Sequence, residues 1–155
     1  MAHVFVYGTL LEPTMMQAVV GRLVASQPAT LLKYVRSQLT GCYYPGMVPS
    51  DYHQVTGAVY CDLTDAELAR LDYFEGPEYL RATVQPVLGE SNQVVSAEAY
   101  LLQPSEQSRM LHLDWDVQHF RQSNLQEFLE VARATMRRYE SGDAASVPPH
   151  GDSTP

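Results

Sequence analysis

Three carboxylic acids recur three residues apart in Leu71-Asp72-Tyr73-Phe74-Glu75-Gly76-Pro77-Glu78-Tyr79, and the middle one, Glu75, has the setting that suits proton transfer. It stands where a predicted helix runs out and the chain turns. The unpaired carbonyls of a helix end carry partial negative charge, and Asp72 and Glu78 add theirs from either side. Both effects disfavour a further negative charge and push the pKa of Glu75 upward. An acid tuned toward neutrality can take a proton and return it, which general acid–base catalysis requires. A carboxylate exposed beside a turn is the plainer reading, and only context separates the two.

Tyr7-Gly8-Thr9-Leu10 is the second candidate. Where a strand ends at glycine, successive backbone N–H groups can converge on an anion, and the missing side chain lets a ligand approach closely. A simple tight turn has the same sequence, and the segment lacks both GxGxxG and the spacing and lysine of a phosphate loop. Tyr79, four residues beyond Glu75, and Tyr100 on a later strand each offer a hydroxyl on a rigid apolar body, either to a pocket or to the core. Asp72 reads as a local structural partner rather than a second catalyst. Arg81 can meet an anionic substrate or Glu78.

The bulk numbers narrow the function classes. A chain of 155 residues fits one domain with a real core. A net charge of −8 argues against a nucleic-acid partner, which a basic face would attract. No run approaches the ~20 apolar residues that span a bilayer, so no membrane association is expected. The N-terminus shows no secretory pattern. Cys42 and Cys61 have no CxxC partner and read as reduced, packed thiols of a cytoplasmic protein. His3, His53, His112, His119 and His150 are scattered without ligand spacing, so neither a metal nor another cofactor is expected.

These groups need elements to hold them. Residues 3–7, β-branched and aromatic, predict a strand that stops at Gly8. Pro13 suits the first turn of a helix through Val20, ended by Gly21. Residues 28–40 and 55–63 read as strands, with a turn-rich, irregular stretch over 41–49 between them. Thr64-Asp65-Ala66-Glu67 is a capping box, and Leu68, Leu71 and Phe74 form the buried stripe of the helix that ends at Gly76-Pro77. Residues 79–88 and 94–102 predict two more strands joined by a turn over 89–92, with Pro86 marking an edge or a bulge. Leu125, Phe128, Leu129, Ala132, Met136 and Tyr139 predict a closing helix, capped through Ser123 and Gln126. The expected fold class is therefore α+β, a sheet or small barrel with peripheral helices. A single domain spans 1–140, with 115–140 as a helical extension, and 141–155 reads as a disordered tail.

Four segments occur in one order: residues 5–10, Tyr44-Pro45-Gly46, residues 55–60, and residues 71–79. Together they resemble the γ-glutamylcyclotransferase-like, or AIG2-like, family over approximately residues 4–102, and 115–121 with the following helix resembles the C-terminal extension of its plant and fungal members. The resemblance implies a small mixed β-barrel with helices around it and a cavity at one side. It implies that Tyr7, Gly8, Thr9 and Leu10 bind a γ-glutamyl substrate and that Glu75 is the acid/base. The implied reaction releases 5-oxoproline and a free amine and needs no metal or cofactor. Holding a small metabolite without turnover is the alternative use of such a cavity. YGTL with no following tryptophan lies nearer the γ-glutamylamine and AIG2-like branch than the glutathione-specific enzymes. The chain is expected to act as a monomer or homodimer.

Overall fold

The computed structural model describes residues 1–142. Strand β1, Ala2–Val6, runs into a 3-10 turn at Thr9–Leu11 and then helix α1, Pro13–Val20, which Gly21 ends with φ 96°. Two long strands follow, β2 at Ser26–Gln38 and β3 at Pro45–Leu63. Helix α2 is Asp65–Glu75, and strands β4, Tyr79–Val84, β5, Val87–Leu88, and β6, Ala97–Leu102, come next. A 3-10 segment at Pro104–Arg109 and helices α3, Val117–Ser123, and α4, Leu125–Glu140, complete the described chain. The expected tail lies outside the described residues, apart from the turn at Ser141 and Gly142.

The six strands form one mixed sheet in the order β4-β6-β1-β3-β2-β5. Only β1 and β6 are parallel neighbours. Successive residues of β1 point to opposite faces, and both faces are buried. Val4 and Val6 meet Met15, Met16 and Val19 of α1, Leu71 and Phe74 of α2, and Phe128 and Met136 of α4. Phe5 and Tyr7 join a second core with Leu31, Val59, Val84, Leu88 and Ala99, drawn from every other strand. The sheet therefore curls around its own interior.

The curl stops short of a barrel, which corrects the closed form expected above. The strand foreseen over 79–88 breaks at Gln85 and Pro86. Its halves join opposite edges, β4 against β6 and β5 against β2. Three residue steps from Val84 to Val87 reach at most roughly 11 Å, so the edges approach closely. No ladder joins them, because proline has no N–H to give and β5 is two residues long.

Two other expectations change. The stretch over 41–49 was expected to be irregular, yet β3 begins at Pro45, paired with Gln38 of β2. Its prolines are tolerated because β1 pairs only with residues from Ala58 onward, leaving that side of β3 without a ladder partner. Asn124 is the N-cap of α4 and makes no side-chain cap bond, so the Ser123 and Gln126 cap does not form. The capping box of α2 does form: Thr64 Oγ1 accepts from Glu67 N at 3.1 Å, and Glu67 Oε1 accepts from Thr64 N at 2.9 Å.

Candidate active site

The capping box starts α2 at a fixed residue, and the Gly76 N–H closes its last turn on the Asp72 carbonyl at 3.2 Å. Glu75 thereby becomes the final helical residue. It lines a narrow cavity of about 30 Å³, which opens into a wider mouth, with Phe5, Val6, Tyr7, Gly8, Thr9, Leu10, Tyr44, Pro45, Tyr79 and Tyr100. All seven candidate site residues, Glu75, Tyr7, Gly8, Thr9, Leu10, Tyr79 and Tyr100, are brought together there.

The three neighbouring phenols are anchored. Tyr7 donates to the Tyr100 carbonyl at 2.6 Å, Tyr79 to the Pro45 carbonyl at 2.7 Å, and Tyr100 to Asp72 Oδ1 at 2.7 Å. Burial drives all three pKa values upward, and the Glu75 charge adds to each, so they stand as neutral hydroxyls. Gly8 is set by space rather than by backbone angle. Its φ is −127°, but a Cβ there would lie 2.8 Å from the Pro45 ring. The close approach that glycine permits is thus made by Pro45, which closes one wall of the cavity. The N–H groups of Gly8, Thr9 and Leu10 make no hydrogen bond among the described residues, since the 3-10 turn begins with the Leu11 N–H on the Gly8 carbonyl.

Charge is distributed unevenly over the three acids. Asp72 receives the Tyr100 hydroxyl and lies 3.5 Å from Arg81, which also reaches Glu98 at 3.6 Å. Glu78 is buried, accepts from Tyr44 at 2.9 Å and from Arg109 at 2.5 Å. Glu75 has no arginine: among the described residues no donor bonds its carboxyl, and no lysine, arginine or histidine lines the cavity. Its pKa is raised from the usual 4.5 to about 8, first by burial, then by the Glu78 charge, then by Asp72. The two neighbouring acids were foreseen as causes; burial, the largest, was not. Such a carboxyl sits at the boundary between acid and base near neutral pH, and its site lacks a cation.

Asp72, read from the sequence as a local structural partner, holds Tyr100 and Arg81, whereas the Glu78–Arg109 pair, which spans 31 positions, had no signal in the sequence. Nor did Arg36 of β2, whose Nη1 lies 2.8 Å from the Tyr7 carbonyl. Tyr44 and Pro45 carried a motif signal without a site role. Among the described residues, no cluster of three or more His, Cys, Asp or Glu is placed to hold a metal ion, and no helix is long and apolar enough to cross a membrane.

Comparison with known proteins places the chain in a class. A family model described as gamma-glutamyl cyclotransferase, AIG2-like, matches residues 4–117, and the chain belongs to that family. The protein AIG2 C of Arabidopsis thaliana is 36% identical over 145 residues, covering 94% of this chain and 87% of that one. A solution structure of an Arabidopsis thaliana protein superimposes with TM-score 0.67 at 32% identity, over 94% of this chain and 92% of the other. The crystal structure of an AIG2-like protein from mouse matches with TM-score 0.55 at 28% identity, over 75% of this chain and 88% of the other.

Proposed function

We propose that this protein cyclises a γ-glutamyl amine, releasing 5-oxoproline and the free amine, with Glu75 as the acid/base. The observation that carries the reading is an arginine-free carboxyl, its pKa near 8, in a cavity beside three unbonded backbone N–H groups. A γ-glutamyl group carries one cation and one anion on its α-carbon. The ammonium fits the side of the cavity that lacks a positive charge, and the α-carboxylate falls to the N–H groups of residues 8–10.

The chemistry then needs little more than folding and proton transfer. Glu75 takes a proton from the α-ammonium. The freed nitrogen attacks the γ-carbonyl carbon of the same molecule, closing a five-membered ring. The ring nitrogen gives up its second proton as the amide C–N bond breaks, so that two protons, relayed through Glu75, reach the leaving nitrogen and the amine departs as an ammonium. Nucleophile and electrophile share one molecule, so holding the substrate bent supplies much of the acceleration. Neutral Tyr7, Tyr79 and Tyr100 shape the walls and exclude water. The YGTL loop without a following tryptophan favours γ-glutamyl amines over glutathione.

The test is Glu75→Gln against a panel of γ-glutamyl amines, reading 5-oxoproline. Wild type should turn over at least one, and the variant should lose about 10²–10⁴ in rate, the usual scale for a general acid–base. Equal turnover by the variant removes the role given to Glu75. Binding by wild type without 5-oxoproline would instead make the cavity a metabolite sensor.

A further inference from the structure

Arg36 does not line the cavity, yet it reaches the loop that does. Its Nη1 donates to the Tyr7 carbonyl at 2.8 Å and approaches the Thr56 carbonyl at 3.4 Å. The rest of the guanidinium is fixed by Asp114, with Nε to Oδ1 at 2.8 Å and Nη2 to Oδ2 at 3.3 Å. The Trp115 ring centroid lies 5.9 Å from its central carbon. The Arg36 side chain is only 14% exposed, so the fork is held in one orientation.

Tyr7 O and Gly8 N belong to the same peptide unit. In a trans peptide the C=O and N–H point in opposite directions. A carbonyl pinned to Arg36 behind the loop therefore turns the Gly8 N–H the other way. That direction is the cavity, which Gly8 lines and where its N–H has no partner among the described residues. The bond to a cation also polarises the peptide and makes the N–H a better donor. Trp115, next to Asp114, donates its indole N–H to the Tyr43 carbonyl at 2.8 Å, adjoining the Tyr44 and Pro45 wall. The segment at 114–115 thus holds both Arg36 and the backbone next to Tyr44.

We propose that Arg36, clamped by Asp114, is a positioning residue that aims the Gly8 N–H into the cavity at the carboxylate of the bound ligand. This rests on the reading of the cavity as a γ-glutamyl site. The test uses 5-oxoproline and 2-pyrrolidinone, the same ring without the carboxylate, titrated into labelled protein and followed by ¹H–¹⁵N spectra. In wild type, 5-oxoproline should bind more tightly than pyrrolidinone and shift the Gly8 amide. Arg36→Met should weaken 5-oxoproline about tenfold, the scale of one charge-assisted hydrogen bond, while leaving pyrrolidinone within about twofold. Asp114→Asn, which keeps Arg36 but loosens its clamp, should show a smaller loss of the same selectivity and stands in if Arg36→Met does not fold. Arg36→Lys should recover part of the affinity through a single donor. Equal losses on both ligands, no loss, or a silent Gly8 amide on 5-oxoproline binding would overturn the positioning role. Failure of wild type to bind 5-oxoproline would overturn the γ-glutamyl reading itself, and this inference with it.

Discussion

Replacing Glu75 by Gln should make the protein more stable at alkaline pH, and the effect needs no knowledge of the substrate. In the unfolded chain Glu75 titrates near its usual 4.5; in the fold, burial and the Glu78 and Asp72 charges raise it to about 8. The folded state therefore holds this proton more tightly than the unfolded state. The stabilisation is complete below pH 4.5 and disappears as pH climbs through about 8. Each pH unit between the two values is worth about 1.4 kcal/mol, so wild type loses about 3 kcal/mol from this group by pH 7 and about 5 by pH 9. Water at the cavity mouth screens part of this, which makes both figures upper bounds. Glutamine stays neutral throughout and lacks the slope, while other titrating groups act alike in both proteins and cancel. Urea unfolding of the two proteins at pH 5, 7 and 9 measures the difference. The advantage of Glu75→Gln should grow by several kcal/mol across the series. A difference that stays flat within about 0.5 kcal/mol would refute the claim that the half-buried Glu75 carboxyl is desolvated and uncompensated.

The rate should have its own pH signature: with Glu75 near 8 and a substrate amine of similar pKa, kcat/KM for a γ-glutamyl amine should trace a bell centred near pH 8, and a plateau from pH 6 to 10 would contradict proton transfer by this group. Gly8→Ala puts a methyl 2.8 Å from the Pro45 ring, so thermal or urea unfolding should show a loss of about 1–3 kcal/mol, with turnover reduced more than stability alone explains. Arg109→Met leaves the buried Glu78 without its cation; since Arg109 is itself 26% exposed, a loss of about 2–3 kcal/mol is expected, largely relieved in the double variant with Glu78→Gln. Phe128→Ala, fully buried between Tyr44 and Phe74, should cost about 3–5 kcal/mol by chemical denaturation.

Local signals were strong where the chain announces its own boundaries. Pro13 and Gly21 bracket α1, and Thr64, Glu67 and Gly76 bracket α2, because caps and breakers act over three or four residues. Those signals suffice to put Glu75 at a helix end. What could not be read locally was decided by distant partners. Pro45 and Pro49 looked like loop residues until the side of β3 facing away from β2 proved to lack a strand there. Pro86 was read as an edge or bulge, but its effect of sending the two halves of one strand to opposite sides of the sheet depends on β2 and β6. The arginines of the site, Arg36 and Arg109, lie 29 and 31 positions from the groups they hold, beyond the reach of any spacing rule. Helix α4 resembled an extension, yet Phe128, Ala132 and Met136 complete the main core.

The placement of β1 has a consequence for how the protein comes together. The first strand of the chain lies in the middle of the sheet, with Val6 opposite Ala58 on one side and Val4 opposite Glu98 on the other. Closing those loops is entropically slow, whereas the long β2–β3 ribbon turns back within a few residues. Folding should therefore begin in that ribbon, with the N-terminal strand threading into its slot once β6 exists. A chain emerging from the ribosome must carry an apolar strand with one edge open until nearly a hundred further residues have followed it. The candidate site, lined by the residues that follow that strand and by the end of α2, is among the last things to be made.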